Sequence, residues 1–194
     1  MNKFIAAATL YMCCCDSLLA QDETGLFYDS RDGQEYETVI ITVESDGVDS
    51  ALEWMSSNLN YAMEDSKCYK NYKEYCSSFG RLYSWNAATT ACPSGWHMSL
   101  DQEWKMIMKK YGTKIKAGPS LIEGGESNLN LQPAGFGEKG GEFIDVGVNG
   151  YYWKRESKTS TNPGTLTIHR GVTYVTDDKV DATHYNSIRC VKDY

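Results

Sequence analysis

Between Gly80 and Trp104 the chain reads Gly-Arg-Leu-Tyr-Ser-Trp-Asn-Ala-Ala-Thr-Thr-Ala-Cys-Pro-Ser-Gly-Trp-His-Met-Ser-Leu-Asp-Gln-Glu-Trp, a run that constrains the fold more than any other. Trp85, Ala88, Thr89 and Cys92 recur at three, four and seven residues, so they share one face of a short helix. Pro93 stops that helix, and Gly95 supplies the backbone freedom of a Cys-Pro-Ser-Gly turn. The second helix is expected to open at Ser99, with Ser99 as its cap and Gln102 reaching back in a capping box. Leu100, Trp104, Ile107, Met108 and Tyr111 then form an apolar stripe that Gly112 ends.

At 194 residues the chain has the length of one domain with a core of its own. Its net charge of -7 disfavours nucleic acid or an anionic membrane as partner. The first twenty residues differ from the rest. Lys3 precedes a run without charge from Phe4 to Cys15, and Ser17-Leu-Leu-Ala20 leads into the polar Gln21-Asp22-Glu23. A basic start, an apolar centre and a small residue at the end describe a secretory signal peptide over 1–20, followed by a single domain over 21–194. The alternative is lipidation at Cys13, Cys14 or Cys15, but Leu10-Tyr11-Met12 lacks the small residues such a signal wants. Only lipidation would bring a membrane into contact. Cys68, Cys76, Cys92 and Cys190 remain after cleavage, an even set that suits two disulfides in an exported domain. Four cysteines allow three connectivities.

Along the mature chain, Asp29–Gly33 forms a turn before a β-rich run from Thr38 to Val43. Glu44 to Ser50 is acidic and reads as a solvated loop. Tyr69 to Tyr75, polar and rich in tyrosine, reads as a small loop between two cysteines. Gly118 to Asn130 is expected to be irregular. Asn149-Gly150, between Phe143–Val148 and Tyr151–Arg155, is a strong hairpin signal. Thr165 to Thr176 alternates around Gly171, and Tyr185 to Lys192 gives a last strand. The order is strand, two helices, long loop, then several antiparallel strands, an α+β plan.

Five tryptophans and fourteen tyrosines suit a binder of sugars, whose apolar faces stack on flat rings. Trp85 and Trp104 lie on helix faces and read as core. Tyr69, Tyr72, Tyr75, Tyr151 and Tyr152 are the candidate surface contacts. His97, His169 and His184 have no metal-like spacing, so neither a metal nor an organic cofactor is expected. Glu103 reads as a helix-surface acid, and Asp177-Asp178 with Asp181 as a solvated turn. No Ser-His-Asp set or phosphate loop is recognisable.

One ordered set of pieces runs from Asp29-Ser-Arg-Asp-Gly-Gln34 through Trp54-Met55, Asn58-Leu-Asn-Tyr61, Cys68-Tyr69, Gly80-Arg-Leu-Tyr-Ser-Trp85 and Cys92-Pro-Ser-Gly-Trp-His97 to Ile188-Arg-Cys-Val-Lys-Asp193. In these pieces and their order the chain resembles the Fibrobacter succinogenes major paralogous domain family. It departs from the family pattern at Met98-Ser99-Leu100 and at Tyr151–Ser157. The family is more distantly similar to C-type lectin-like domains, with two short helices packed on antiparallel strands and long loops. Those domains set a helix cysteine against a final-strand cysteine, which implies Cys92 with Cys190; the close spacing of Cys68 and Cys76 favours a local bridge. The resemblance implies an exported or cell-surface, non-catalytic module for adhesion, with a polysaccharide or cell-surface protein as partner. The alternatives are a polysaccharide-active enzyme and a structural component of a surface assembly. Intact mass of the exported protein is expected to place its first residue at Gln21; a diacylglyceryl adduct on Cys13, Cys14 or Cys15 would reverse that expectation.

Overall fold

The computed structural model describes residues 23–45, 47–178 and 181–193; the leader, its cysteine triplet and the Ala20–Gln21 junction lie outside them. In chain order the elements are β1 (Glu23–Tyr28), β2 (Glu35–Ser45), β3 (Val48–Met55), β4 (Ser66–Lys67), a 3-10 turn (Tyr69–Asn71), α1 (Lys73–Phe79), β5 (Leu82–Ser84), α2 (Trp85–Ala91) and β6 (Trp96–Met98). They continue with α3 (Asp101–Lys110), α4 (Thr113–Lys116), α5 (Gly118–Leu121), β7 (Ala134–Gly137), β8 (Phe143–Val146), β9 (Asn149–Lys154), β10 (Gly164–His169), β11 (Val175–Asp178), β12 (Tyr185–Asn186) and β13 (Cys190–Lys192). Helices and mostly antiparallel sheets coexist, so the class is α+β.

One sheet has the order β1-β2-β3-β13-β6, and the other β11-β10-β9-β7-β12-β5-β4 with β8 beside β7. Several strands are buried on both faces, because neighbouring residues enter different cores. Trp54, Tyr152 and Val191 join one cluster with Val39, Ile41, Trp104, Ile107 and Leu166. Met55, Trp153 and Cys190 join another with Trp85, Ala88, Trp96 and Ile188. Period-two alternation makes this possible without changing strand direction. Trp54 and Trp104 meet at 4.6 Å between ring centres, which fastens α3 to the first sheet.

Two disulfides brace the frame: Cys68–Cys76 and Cys92–Cys190. The second spans 98 residues and on the chain-entropy model is worth about 4.7 kcal/mol, against about 2.5 kcal/mol for the first, which spans eight.

Several local expectations are corrected. α3 starts one residue later than the Ser99 cap requires: the Glu103 carboxylate, not Gln102, accepts from the Leu100 amide at 2.7 Å. Ser99 is buried and accepts the Trp104 indole N–H at 2.9 Å. Residues 69–75 are a 3-10 turn running into α1, since the disulfide and a small aromatic core support a helix that their polarity alone would not. The acidic segment after Val43 belongs to the β2–β3 hairpin, whose ladder pairs Glu44 with Asp49. The stretch after Gly112 contains α4 and α5.

The Asn149-Gly150 hairpin does not form. β8 pairs with β7, and β9 runs parallel to β7 through Gly135 opposite Gly150. The chain turns instead at residues 145–148, with Val148 N–H donating to Asp145 O at 2.9 Å. Gly150 is needed for a close approach: a Cβ there would lie 2.5 Å from the Gln132 carbonyl.

Tyr185–Lys192 is not one strand either. β12 lies in the second sheet and β13 in the first, and the crossing between them carries Arg189. Its side chain is fully enclosed. The guanidinium donates to Asn58 Oδ1 at 2.8 Å and to the carbonyls of Met55, Leu129 and Asn130 at 3.0, 2.7 and 2.7 Å. Arg189→Met leaves those acceptors buried without donors, and is expected to cost about 3 kcal/mol or more. Urea unfolding of the oxidised protein measures this; a loss below about 1 kcal/mol would deny the residue its central role.

Candidate functional site

The five candidate tyrosines are not brought together. Tyr69 and Tyr75 pack at 5.1 Å in a small core beside the Cys68–Cys76 bridge, with Phe143 5.2 Å from Tyr69. Tyr152 lies in the main core; its hydroxyl donates to Gln132 O at 2.8 Å and accepts from Gln132 N–H at 2.7 Å. Tyr69 and Tyr152 are therefore buried, and neither presents a ring to a polymer. Tyr72 is exposed in the segment leading into α1. Tyr151 is half-buried, and it alone of the five sits within a larger polar array.

The array grows from β8, β9 and β10. The Tyr151 hydroxyl donates to Asp145 Oδ2 at 2.6 Å, and Asn149 Nδ2 donates to the same oxygen at 2.8 Å. With the amide nitrogen so engaged, Asn149 Oδ1 faces His169 Nδ1 at 2.9 Å and accepts a hydrogen bond from its N–H. Asp145 has a positive φ of 69°, a conformation that aspartate adopts more readily than most residues and that the turn imposes. Phe136 of β7 meets Tyr151 at 4.9 Å nearly edge-on, and His184 lies tilted against Phe136 at 4.9 Å. The His169 ring lies 5.3 Å from Tyr174. Aromatic rings thus border a chain of directed hydrogen-bonding groups.

Sequence reasoning missed Phe136, Asp145, Asn149, His169 and His184. Asn149 carries a signal in the sequence, but it is that of a turn residue, and the topology uses it as a side-chain bridge instead.

The Fibrobacter succinogenes major domain matches residues 49–192, most of the chain. The chain belongs to that family. No curated protein and no solved structure matches it. The family span takes in every residue of the Tyr151 array, whereas β1 and β2 precede it.

A second feature of this Fibrobacter succinogenes major domain is a charged cleft of about 550 Å³ between α3, α4 and the ends of β9 and β11. Lys154, only 6% exposed, is held between Asp101 Oδ1 at 2.6 Å and Asp177 Oδ1 at 2.5 Å. Lys105 binds the other oxygen of Asp101, and Lys114 the other oxygen of Asp177. Asp177 is therefore part of an ion-pair chain and not a solvated turn. Glu103 is not a surface acid: besides Leu100 it meets His97 Nε2 at 2.7 Å, and His97 Nδ1 faces Asp193 at 2.9 Å. Among the described residues no group of three or more His, Cys, Asp and Glu side chains is arranged to hold a metal, and no helix is long and apolar enough to cross a membrane.

Burial works to raise the Asp101 carboxyl, but hydrogen bonds from Lys105 and Lys154 outweigh it and leave the group below its usual range. A carboxyl lowered in the folded state adds stability above its unfolded pKa of about 4, and that stability is lost as pH falls through the lowered value. Thermal unfolding is expected to hold steady from neutral pH down to about pH 5 and then decline. Asp101→Asn is expected to flatten part of the acid decline; an unchanged slope would show that the clasp contributes nothing.

Proposed function

We propose that the chain is an exported, cell-surface binding module, C-type lectin-like in build, that holds polysaccharide without cleaving it. The observation that carries the reading is the Tyr151 array: rings of Phe136 and Tyr151 beside Asp145, Asn149 and His169, already aligned by their own hydrogen bonds. Sugars are recognised by that pairing of apolar ring contact with fixed polar groups. Alignment before binding lowers the entropy cost of holding a flexible chain. The bridge from the end of α2 to β13 is the arrangement expected of a lectin-like domain, and two disulfides suit an oxidising compartment.

The carboxylates favour binding over hydrolysis. Glycoside cleavage wants a pair of acids free to exchange protons with the substrate. Asp101 and Asp177 are each held by two lysines, and Glu103 by an imidazole and a backbone amide.

Retention on insoluble xylan and cellulose tests the reading. Tyr151→Ala is expected to weaken retention about tenfold while the melting temperature stays near that of the parent. Tyr72→Ala, far along the chain in the α1 segment, serves as the exposed control. No retention by the parent protein on any polysaccharide would sink the proposal. Release of reducing sugar would replace it with the enzyme reading.

A further inference from the structure

A groove of about 380 Å³ lies where β1 and β2 meet the residues after β3 and the 128–130 loop. Thr24, Leu26, Thr38, Ser56, Asn128 and Asn130 line it. Thr38 and Ser56 are buried, 1% and 6% exposed, yet neither hydroxyl hydrogen-bonds to another described residue. Thr24 and Asn128 are exposed and add a hydroxyl and an amide to the lining. Hydroxyls that face a groove and make no bond inside the protein are free to pair with whatever enters it.

The groove is also held ready. Asn128 and Asn130 stand at positive φ, 53° and 50°, and Arg189 grips the Leu129 and Asn130 carbonyls from below. The wall they form is fixed before any ligand arrives. Gly25 keeps the floor open, since a Cβ there would come within 2.8 Å of the Thr38 hydroxyl. Leu26 is 64% exposed at the rim. The lining holds no cation, and Glu37 is its one charged residue.

We propose that this groove is a subsite for a neutral saccharide. Hydroxyls and an amide donate and accept, as sugar hydroxyls do, so the polar groups on the wall find matches in a sugar. Leu26 covers an apolar sugar face. Glu37 and the chain's net charge of -7 repel uronates and other anionic polymers. The ligand class rests on the polysaccharide-binding reading above, but the groove shares no residue with the Tyr151 array.

Calorimetric titration of the oxidised full chain with xylohexaose, cellohexaose and a galacturonate hexamer tests it. A neutral hexamer is expected to bind and the galacturonate hexamer not to. Thr38→Val and Ser56→Ala remove hydroxyls with no partner inside the protein, so melting temperature is expected to hold or rise. Together they are expected to weaken binding about tenfold. Gly25→Ala, which pushes a methyl group toward Thr38, is expected to weaken it as well. If all three variants bind like the parent while Tyr151→Ala does not, the groove is no subsite and the broader reading stands. Equal binding of the galacturonate hexamer overturns the assignment to neutral sugar. Failure of the parent to bind any saccharide overturns both.

Discussion

A buried cation with only neutral acceptors organises this protein. Among the described residues no acid lies within hydrogen-bonding reach of Arg189; it is solvated by three backbone carbonyls and the Asn58 amide oxygen. Burial lowers its pKa from the ordinary arginine value, but a guanidinium remains charged in proteins. Taking such an ion out of water is expensive unless its donors are satisfied. That demand specifies position sharply. The residue reaches from the end of β3 to the loop before β7, while its own backbone carries the chain from one sheet to the other. A lysine, with three donors on a compact head, cannot span the same four oxygens.

The parts of the fold legible in the sequence were those set by local chemistry. Pro93 and Gly95 marked the break between α2 and β6, and the Trp104, Ile107 and Met108 stripe became the buried face of α3. What escaped was set by contacts distant in sequence. Asn149-Gly150 has the local chemistry of a hairpin turn, yet Gly150 was required where β9 passes close to Gln132. Tyr185–Lys192 has one continuous alternation, and nothing in it reveals that two residues belong to one sheet and three to another. An arginine beside a buried cysteine looks like a surface residue until its four acceptors are assembled from segments up to 134 residues away.

The tyrosines show the same limit at the candidate site. A ring's composition says nothing about which face of a strand it occupies, and Tyr151 and Tyr152 are adjacent residues with opposite fates. Tyr152 points into the core with Leu166, while Tyr151 reaches Asp145 and Phe136. The polar sequence around Tyr69 and Tyr75 suggests a surface loop, but the disulfide folds that segment over its own rings. The amides and hydroxyls that line the neutral groove, by contrast, lie on Thr38, Ser56 and Asn128, residue types too common to draw notice in a sequence.

Arg189 and Tyr152 together hold the segment from Leu129 to Pro133, and this connects the two candidate sites physically. Burial pushes the Tyr152 phenol up, so it stays protonated and keeps donating to Gln132 O. Arg189, whose guanidinium carbon stands 5.8 Å from the Tyr152 ring, fixes the two carbonyls just before it. On one side of this clamped segment, Asn128 and Asn130 form the wall of the neutral groove. On the other, Pro133 O accepts from Gly147 N–H at 2.7 Å and anchors the turn that presents Asp145 and Asn149, and the chain runs on to Phe136. The same internal hydrogen bonds therefore set the geometry of both surfaces. Loosening the clamp disorders both at once, whereas a change confined to Thr38 or Tyr151 leaves it untouched; that difference separates the support of a site from the site itself.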